Sequence, residues 1–389
     1  MVSQDISKGM TGMDRRSFVK GMAILCAAGH AGKNAAWAAD EEINATRIPR
    51  WRGFNLQGKF AMPDRPYEGR AFEEFDFATL VEWGFNFARL PLSYWVWGNR
   101  DDWSVIREER LKEIDRAIEL GRQYEIHINL NFHRIPGYCI NNRELEPADL
   151  FSGTKAQRDK AMAAAIVHWK AFARRYRGIP NRRLSFDLIN EPPRMRSYEG
   201  YLEERYVEIV KALVTAIREE DPNRLIFADG MDIGQLPVLG IVDLGLVQST
   251  RGYKPKAVTH YTANWVPKDE FETMNPPTWP LKDDQGQTWD RDRLKREYID
   301  NYQPLIDKGV QIHVGEWGCF NKTPHAVTLA WMEDCLSLWK EVGWGNAMWN
   351  LRGAFGVLDS ERQDVQYEDF KGHKLDRKML ELIREFRGS

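Results

Sequence analysis

The sequence predicts a single α/β domain, a closed (β/α)8 TIM barrel, and three observations carry the prediction. Eight short strand-like runs occur along the chain, most of them separated by segments with apolar residues at helical spacing, and parallel strands need such crossovers. Two of those runs, residues 184–193 and 310–318, end in a carboxyl, as Asn190-Glu191-Pro192 and as Glu316. The carboxyl ends of strands are where parallel α/β folds collect their polar groups. The length of 389 residues, 43% hydrophobic and 29% charged, has room for one large barrel. An open doubly wound sheet is the alternative, but the polar groups come from strands spread along the whole chain rather than from one crevice.

Taken in order, residues 51–56 (WRGFNL) read as the first strand and 72–83 as a helix stopped by Gly84. The second strand is 84–90, followed by an aromatic loop and a helix over 107–124 with Leu111, Ile114 and Ile118 on one face. The third strand, 125–132, leads into His133-Arg134-Ile135-Pro136-Gly137, and a helix over 154–177 starts at a Thr154 cap. In the fourth, Leu184, Phe186 and Leu188 alternate with Ser185, Asp187 and Ile189 before a helix over 201–220. The fifth is 224–229, and the run from there to Thr250 is broken by Gly and Pro. Residues 256–261 read as the sixth strand, 291–308 as a helix, 310–316 as the seventh strand, and 324–342 as a helix. Residues 345–350 form the eighth strand and 375–386 the closing helix. No repeat, low-complexity linker or appended module interrupts this series.

Residues 1–38 stand apart. Asp14-Arg15-Arg16-Ser17-Phe18-Val19-Lys20 precedes a weakly apolar stretch, and Ala36-Trp37-Ala38 forms a small-residue cleavage site before Ala39. This resembles a twin-arginine export signal, which implies a periplasmic or extracellular protein; an amphipathic first helix with a chance Arg pair is the blander account. The expected domains are therefore a signal over 1–38 and one catalytic barrel over 39–389. No stretch reaches the roughly 18 to 20 apolar residues of a membrane span, so no stable membrane anchor is expected. Bulky Leu25 before Cys26 argues against lipid attachment. Residues 1–38 hold five basic and two acidic side chains, so their removal takes the formal charge from -2 to -5. A mildly acidic chain without a basic run excludes nucleic acid as a partner class, and a monomer is expected. Cys139, Cys319 and Cys335 then remain, an odd number; a Cys139–Cys319 bridge is conceivable, and buried free thiols are the expected state.

The expected strand ends hold Arg89, His133, Asn190 with Glu191, His260 with Tyr261, Glu316 and Trp349. Asn190-Glu191-Pro192 alone reads equally well as an ordinary strand-ending turn. Two carboxyls on different strands of one barrel suggest more: one acid to protonate a leaving oxygen, one carboxylate to meet an oxocarbenium-like carbon, about 5 to 5.5 Å apart in a retaining glycosidase. His313 near Glu316 hints at a metal pair but lies on a strand, without a His-Glu-x-x-His helix, so no metal or cofactor is expected.

The order Arg52-Gly53-Phe54-Asn55, Arg89, His133, Asn190-Glu191-Pro192, His260, Gly315-Glu316-Trp317-Gly318 and Trp349 resembles glycoside hydrolase family 5 over nearly all of residues 39–389. The resemblance implies Glu191 as acid/base, Glu316 as nucleophile, and Arg89, His133, Asn190, His260, Tyr261 and Trp349 around the substrate. Family members commonly place a Tyr two residues after the sixth-strand His, whereas here Tyr261 follows His260 directly. Physically, Arg89 suits an ionised Glu316, Asn190 suits a sugar 2-hydroxyl, and burial beside Glu316 would raise the Glu191 pKa. His127, His168, His313, His325 and His373 read as structural. Of the fifteen tryptophans, eight fall in or next to the expected strand ends and loops, and Trp349 is the one expected to meet sugar.

The expectation is a retaining β-glycosidase acting on a β-linked polysaccharide or oligosaccharide, an endo-β-1,4-glucanase first. A β-mannanase, a β-1,3-glucanase or an exo-β-glucosidase are the alternatives on the same scaffold. A transglycosylase would use the same carboxyls, and a non-catalytic carbohydrate-binding barrel would have lost one of them.

Overall fold

The computed structural model describes residues 42–60, 71–193, 202–266, 275–283 and 285–387. The expected export signal lies outside these residues. Residues Ile43–Ser389 form one unit built on a closed barrel. Its strands are β1 (Arg52–Asn55), β2 (Phe87–Ser93), β3 (His127–Arg134), β4 (Leu184–Asp187), β5 (Ile226–Asp229), β6 (Val247–Gly252), β7 (Ile312–Trp317) and β8 (Gly345–Met348). Each pairs in parallel with the next and β8 pairs with β1, as the alternating pattern predicts.

Around the barrel run α1 (Glu74–Glu82), α2 (Glu108–Gln123), α3 (Lys155–Arg175), α4 (Leu202–Glu220), α5 (Arg291–Tyr298), α6 (His325–Glu341) and α7 (Arg377–Glu385). Their ends follow local chemistry. Gly84, at φ +81°, donates to Val81 O while Phe85 N donates to Leu80 O, the paired bonds that close a helix on a left-handed residue. Thr154 and Gln157 cap α3 reciprocally, side chain to backbone in both directions. The helix expected over 291–308 breaks after Tyr298 into two short turns, Asp300–Tyr302 and Gln303–Ile306, the second carrying Pro304 at its start. Proline supplies no amide hydrogen for a helix running through it.

The largest correction concerns the sixth strand. Residues Lys256–Thr259, within the stretch read as that strand, form a single helical turn, and the barrel position belongs to Val247–Gly252. This VQSTRG segment is polar on both faces above Val247, with Ser249 and Arg251 inward and Gln248 and Thr250 outward on the Val238 and Gly234 backbone, so it lacks the usual strand signature.

Strand alternation sorts the barrel into two environments. Outward side chains such as Leu90, Leu130 and Phe186 are fully buried against the helices, each contributing roughly 1.5–3 kcal/mol by leaving water. Inward, an apolar floor of Trp51, Phe87, Phe227 and Val247 gives way to Arg89, Asn131, Asp187, Asp229, Ser249 and Arg251. His127 and His313 belong to this floor, stacked on Trp51 at 3.6 Å and bonded to Trp51 O at 3.3 Å respectively. Cys139, Cys319 and Cys335 are buried free thiols. Among the described residues no helix is long and apolar enough to cross a membrane, and no cluster of His, Cys, Asp and Glu has metal-binding geometry.

Candidate active site

Glu316 is aimed by an irregularity in its own strand. The β6–β7 register shifts so that Thr250 faces Val314 but Arg251 faces Glu316, leaving Gly315 as the extra residue of a bulge. A Cβ on Gly315 would lie 2.5 Å from Ser249 Oγ and 2.9 Å from Arg251 Nη1. Only glycine lets the Arg251 guanidinium pack across the strand at that point. Asn55 Nδ2 on β1 donates to Gly315 O at 3.0 Å and steadies the bulge from the other side.

Two buried guanidiniums then organise the carboxyls. Arg89 on β2 donates from Nη1 to Glu316 Oε1 (2.6 Å) and Asn55 Oδ1 (2.9 Å), from Nε to Asp187 Oδ2 (2.8 Å), and from Nη2 to Asn190 Oδ1 (2.8 Å). Arg251 on β6 donates from Nε to Glu191 Oε1 (3.2 Å) and from Nη2 to Asn190 Oδ1 (2.8 Å), and it pairs in a fork with Asp229 on β5. Its Nη2 also lies 3.4 Å from Glu316 Oε1. Glu191 and Glu316 are thus within reach of a single guanidinium. Tyr253, just past β6, donates its hydroxyl to the other Glu316 oxygen, Oε2, at 3.3 Å.

Glu191 sits on a left-handed backbone, φ +49°, which is costly for a side-chain-bearing residue and is held from both sides. Its amide donates to Asp229 Oδ2 at 2.8 Å and its carbonyl accepts from the Tyr138 hydroxyl at 2.6 Å. The side chain is 12% exposed, against 4% for Glu316. Burial, then the nearby charge of Glu316, pushes the Glu191 carboxyl up to about 8, with Arg251 pulling the other way. Burial likewise raises Asp187 to about 7 despite its contact with Arg89.

These carboxyls open into a cleft of about 1270 Å³, lined among others by His133, Glu191, Tyr253, His260, Glu316 and Trp349. Trp349 stacks with His133 (5.6 Å between rings, 28°) and takes the edge of Phe60 at 6.0 Å. His133 approaches Asn190 Nδ2 at 3.4 Å through Nε2; burial first, and the neighbouring Arg89 and Arg251, hold its ring well below the ordinary pKa. Arg89 and Asn190, each 1% exposed, lie beneath the cleft rather than on its wall. Asn190 Oδ1 accepts from both guanidiniums, while Arg89 holds Glu316 Oε1 as the cation its sequence position suggested.

The corrected sixth strand changes three assignments. His260 lines the cleft from the loop after β6, edge-on to Tyr253 at 5.0 Å, and not from a strand end. Tyr261 does not line the cleft, although His260 before it and Asn264 and Trp265 after it do. Tyr253 supplies the hydroxyl near Glu316 that Tyr261 was expected to supply. Arg251, Tyr253, Asp187 and Asp229 were missed as site residues. Their signal was the polar inward alternation in Ser185, Asp187, Asp229, Ser249 and Arg251, with an aromatic hydroxyl two residues past Arg251. Of the eight tryptophans near expected strand ends and loops, Trp349 and the half-exposed Trp265 line the cleft, while Trp97, Trp103 and Trp317 are core.

Comparison with known proteins agrees with this geometry. The family Cellulase (glycosyl hydrolase family 5) matches residues 40–354. Endoglucanase C of Acetivibrio thermocellus is 24% identical over 341 residues, 81% of this chain and 95% of that protein. The crystal structure of a glycoside hydrolase is 38% identical and superposes with a TM-score of 0.80, covering 87% of this chain and all of the other. Endoglucanase Cel5A from Thermotoga maritima superposes at a TM-score of 0.65 with 20% identity, over 86% of this chain and 96% of that one. With a family match over most of the chain on a closed parallel barrel, the chain belongs to the cellulase family of glycosyl hydrolases, family 5.

Proposed function

We propose that this glycoside hydrolase is an endo-β-1,4-glucanase working by double displacement, with Glu316 as nucleophile and Glu191 as acid/base. The observation that carries the roles is the unequal setting of the two carboxyls. Glu316 has both oxygens engaged, Oε1 by Arg89 and Arg251 and Oε2 by Tyr253, which suits a group that must act as a carboxylate. Glu191 is the more exposed and is raised to about 8, which suits a group that must arrive with its proton.

In the first step a Glu316 oxygen attacks the anomeric carbon while Glu191 gives its proton to the departing oxygen. Water then attacks the glycosyl-enzyme, its proton passing to Glu191 as the ester to Glu316 breaks. Trp349, His133 and His260 would hold the sugar at the wall, with Asn190 Nδ2 offered from below. An endo mode fits a cleft larger than the roughly 300–1,000 Å³ of a drug-sized pocket, and fits relatives named as endoglucanases. Residues 39–389 would be the exported catalytic domain and 1–38 a twin-arginine signal. Undiminished export of an Arg16→Lys protein would contradict the signal reading.

The test of substrate is reducing-sugar release from soluble β-1,4-glucan, β-1,3-glucan and β-mannan, beside Glu316→Gln. Activity on β-1,4-glucan, with long oligosaccharides as early products and none from the variant, is the expected result. Release only of single sugars or disaccharides would contradict the endo mode, and preference for another polymer would contradict the substrate.

A further inference from the structure

Arg251 is the only side chain among the described residues shown bonded to Glu191 Oε1 and paired with Glu316, and its position gives it work beyond filling the barrel. Its guanidinium is fully buried and cannot lose its charge in the working pH range, so a fixed cation stands between two groups whose charges change during turnover. Before reaction Glu316 is the carboxylate and Glu191 holds a proton. After glycosylation the order reverses: the Glu316 oxygen is in an ester, neutral, and Glu191 has given its proton to the leaving oxygen.

We propose that Arg251 is a catalytic residue whose fixed charge, held against both carboxyls, is balanced by Glu316 in the free enzyme and by Glu191 in the glycosyl-enzyme. This inference rests on the roles assigned above to Glu191 and Glu316. The geometry is already set for it. Arg251 Nε lies 3.2 Å from Glu191 Oε1 and Nη2 lies 3.4 Å from Glu316 Oε1, while its remaining bonds to Asp229, Ser249 and Thr250 O keep the guanidinium from following either partner. Asp229 also accepts from the Glu191 amide, so the cation and the backbone of its partner share one anchor. Glu191 Oε1 being occupied, Oε2, with no hydrogen-bond partner among the described residues, is the oxygen to carry the proton.

Other groups around Glu191 do not take this part. Glu316 from β7 and Asp229 from β5 are anions, Tyr138, Cys139 and Tyr253 are buried groups whose ionisation is suppressed, and Arg89 from β2 reaches Glu316 but not Glu191. The pull of Arg251 on Glu191 is downward, against burial and against Glu316. In the glycosyl-enzyme the opposing charge of Glu316 is gone, and the same cation keeps Glu191 deprotonated and able to accept a proton from water.

The test uses full-length protein, 4-nitrophenyl and 2,4-dinitrophenyl β-cellobioside, and the variants Arg251→Gln and Arg251→Lys. With wild-type turnover of both glycosides and Glu316 labelling established first, a failure here is separable from a failure of the assigned roles. In Arg251→Gln the alkaline limb of kcat/KM for the nitrophenyl substrate is expected to rise by about one pH unit or more. With the dinitrophenyl substrate its kcat falls, a burst of one dinitrophenolate per enzyme appears, and azide, which needs no base, restores turnover. Arg251→Lys keeps the charge and is expected to leave the limb near its wild-type position. A limb unmoved in Arg251→Gln, or moved as far in Arg251→Lys, overturns the proposal. If Arg251→Gln does not fold, the Lys protein decides alone: a limb near wild type supports the proposal, and a displaced one overturns it.

Discussion

Arg89 Nη1 meets Glu316 Oε1 at 2.6 Å while Arg89 Nε holds Asp187 at 2.8 Å, so a cation rooted on β2 balances carboxyls from β7 and β4 at once. All three side chains are nearly or fully buried. Removing the cation while leaving its partners strands two carboxyls in the barrel, a loss of about 3–5 kcal/mol for a broken buried pair. Arg89→Met is therefore expected to lower the unfolding free energy by that order and kcat/KM by at least about 100-fold. Urea unfolding beside steady-state kinetics checks both, and near-wild-type values would contradict the pairing.

The pH profile follows from Glu191. Its raised value means that the proton needed for the first step is present below about 8 and is lost as pH rises through it. The alkaline limb of kcat/KM should fall near pH 8 in wild type. In Glu191→Gln the limb disappears along with activity on unactivated glucan, while a dinitrophenyl glycoside, which needs no acid, still forms glycosyl-enzyme. A limb nearer 4.5 would mean that burial and Glu316 do not act on Glu191 as the geometry implies.

Tyr253 offers a cleaner excision. Its hydroxyl reaches Glu316 Oε2 at 3.3 Å from a ring that is well packed against His260 and Phe355. Tyr253→Phe keeps that packing and removes one bond to a charged group, a loss of about 1.5–3 kcal/mol. A fall in kcat of about 10- to 100-fold with Tm lowered by only a few degrees is expected, and no kinetic change would remove Tyr253 from the site.

Gly315→Ala tests the bulge. The added methyl would meet Ser249 Oγ and Arg251 Nη1 at distances that force one of them to move. The expected cost is about 1–3 kcal/mol of stability, as for other overpacked sites, with a larger proportional loss of kcat because Arg251 carries contacts to both carboxyls. A variant with wild-type kcat would show that the guanidinium need not lie where it does.

The parallel barrel was legible because seven of its strands carry apolar outward faces, such as Leu90, Leu130 and Phe186, in short runs spaced by helices. Glu191, Glu316, His133 and Trp349 were legible because each follows such a run. The sixth strand was not, since Val247–Gly252 places Ser249 and Arg251 inward, with Gly252 closing the strand, and presents little that distinguishes it from a loop. With the strand at Val247–Gly252, Arg251 and Tyr253 take the places that a strand over 256–261 would give to His260 and Tyr261. Asp187 and Asp229 escaped for another reason: their function lies in contacts with Arg89 and Arg251 across the barrel, and no spacing along the chain encodes those.

The central claim is that Glu316 attacks the sugar and Glu191 serves it as acid/base. Incubation with a 2-deoxy-2-fluoro β-cellobiosyl fluoride, followed by peptide mass spectrometry, tests it most directly, because the fluorine slows release of the glycosyl-enzyme more than its formation. The account predicts one sugar per protein, attached to the peptide carrying Glu316, with Glu191→Gln still labelled and Glu316→Gln unlabelled. Label on Glu191, or time-dependent inactivation that survives Glu316→Gln, would contradict it.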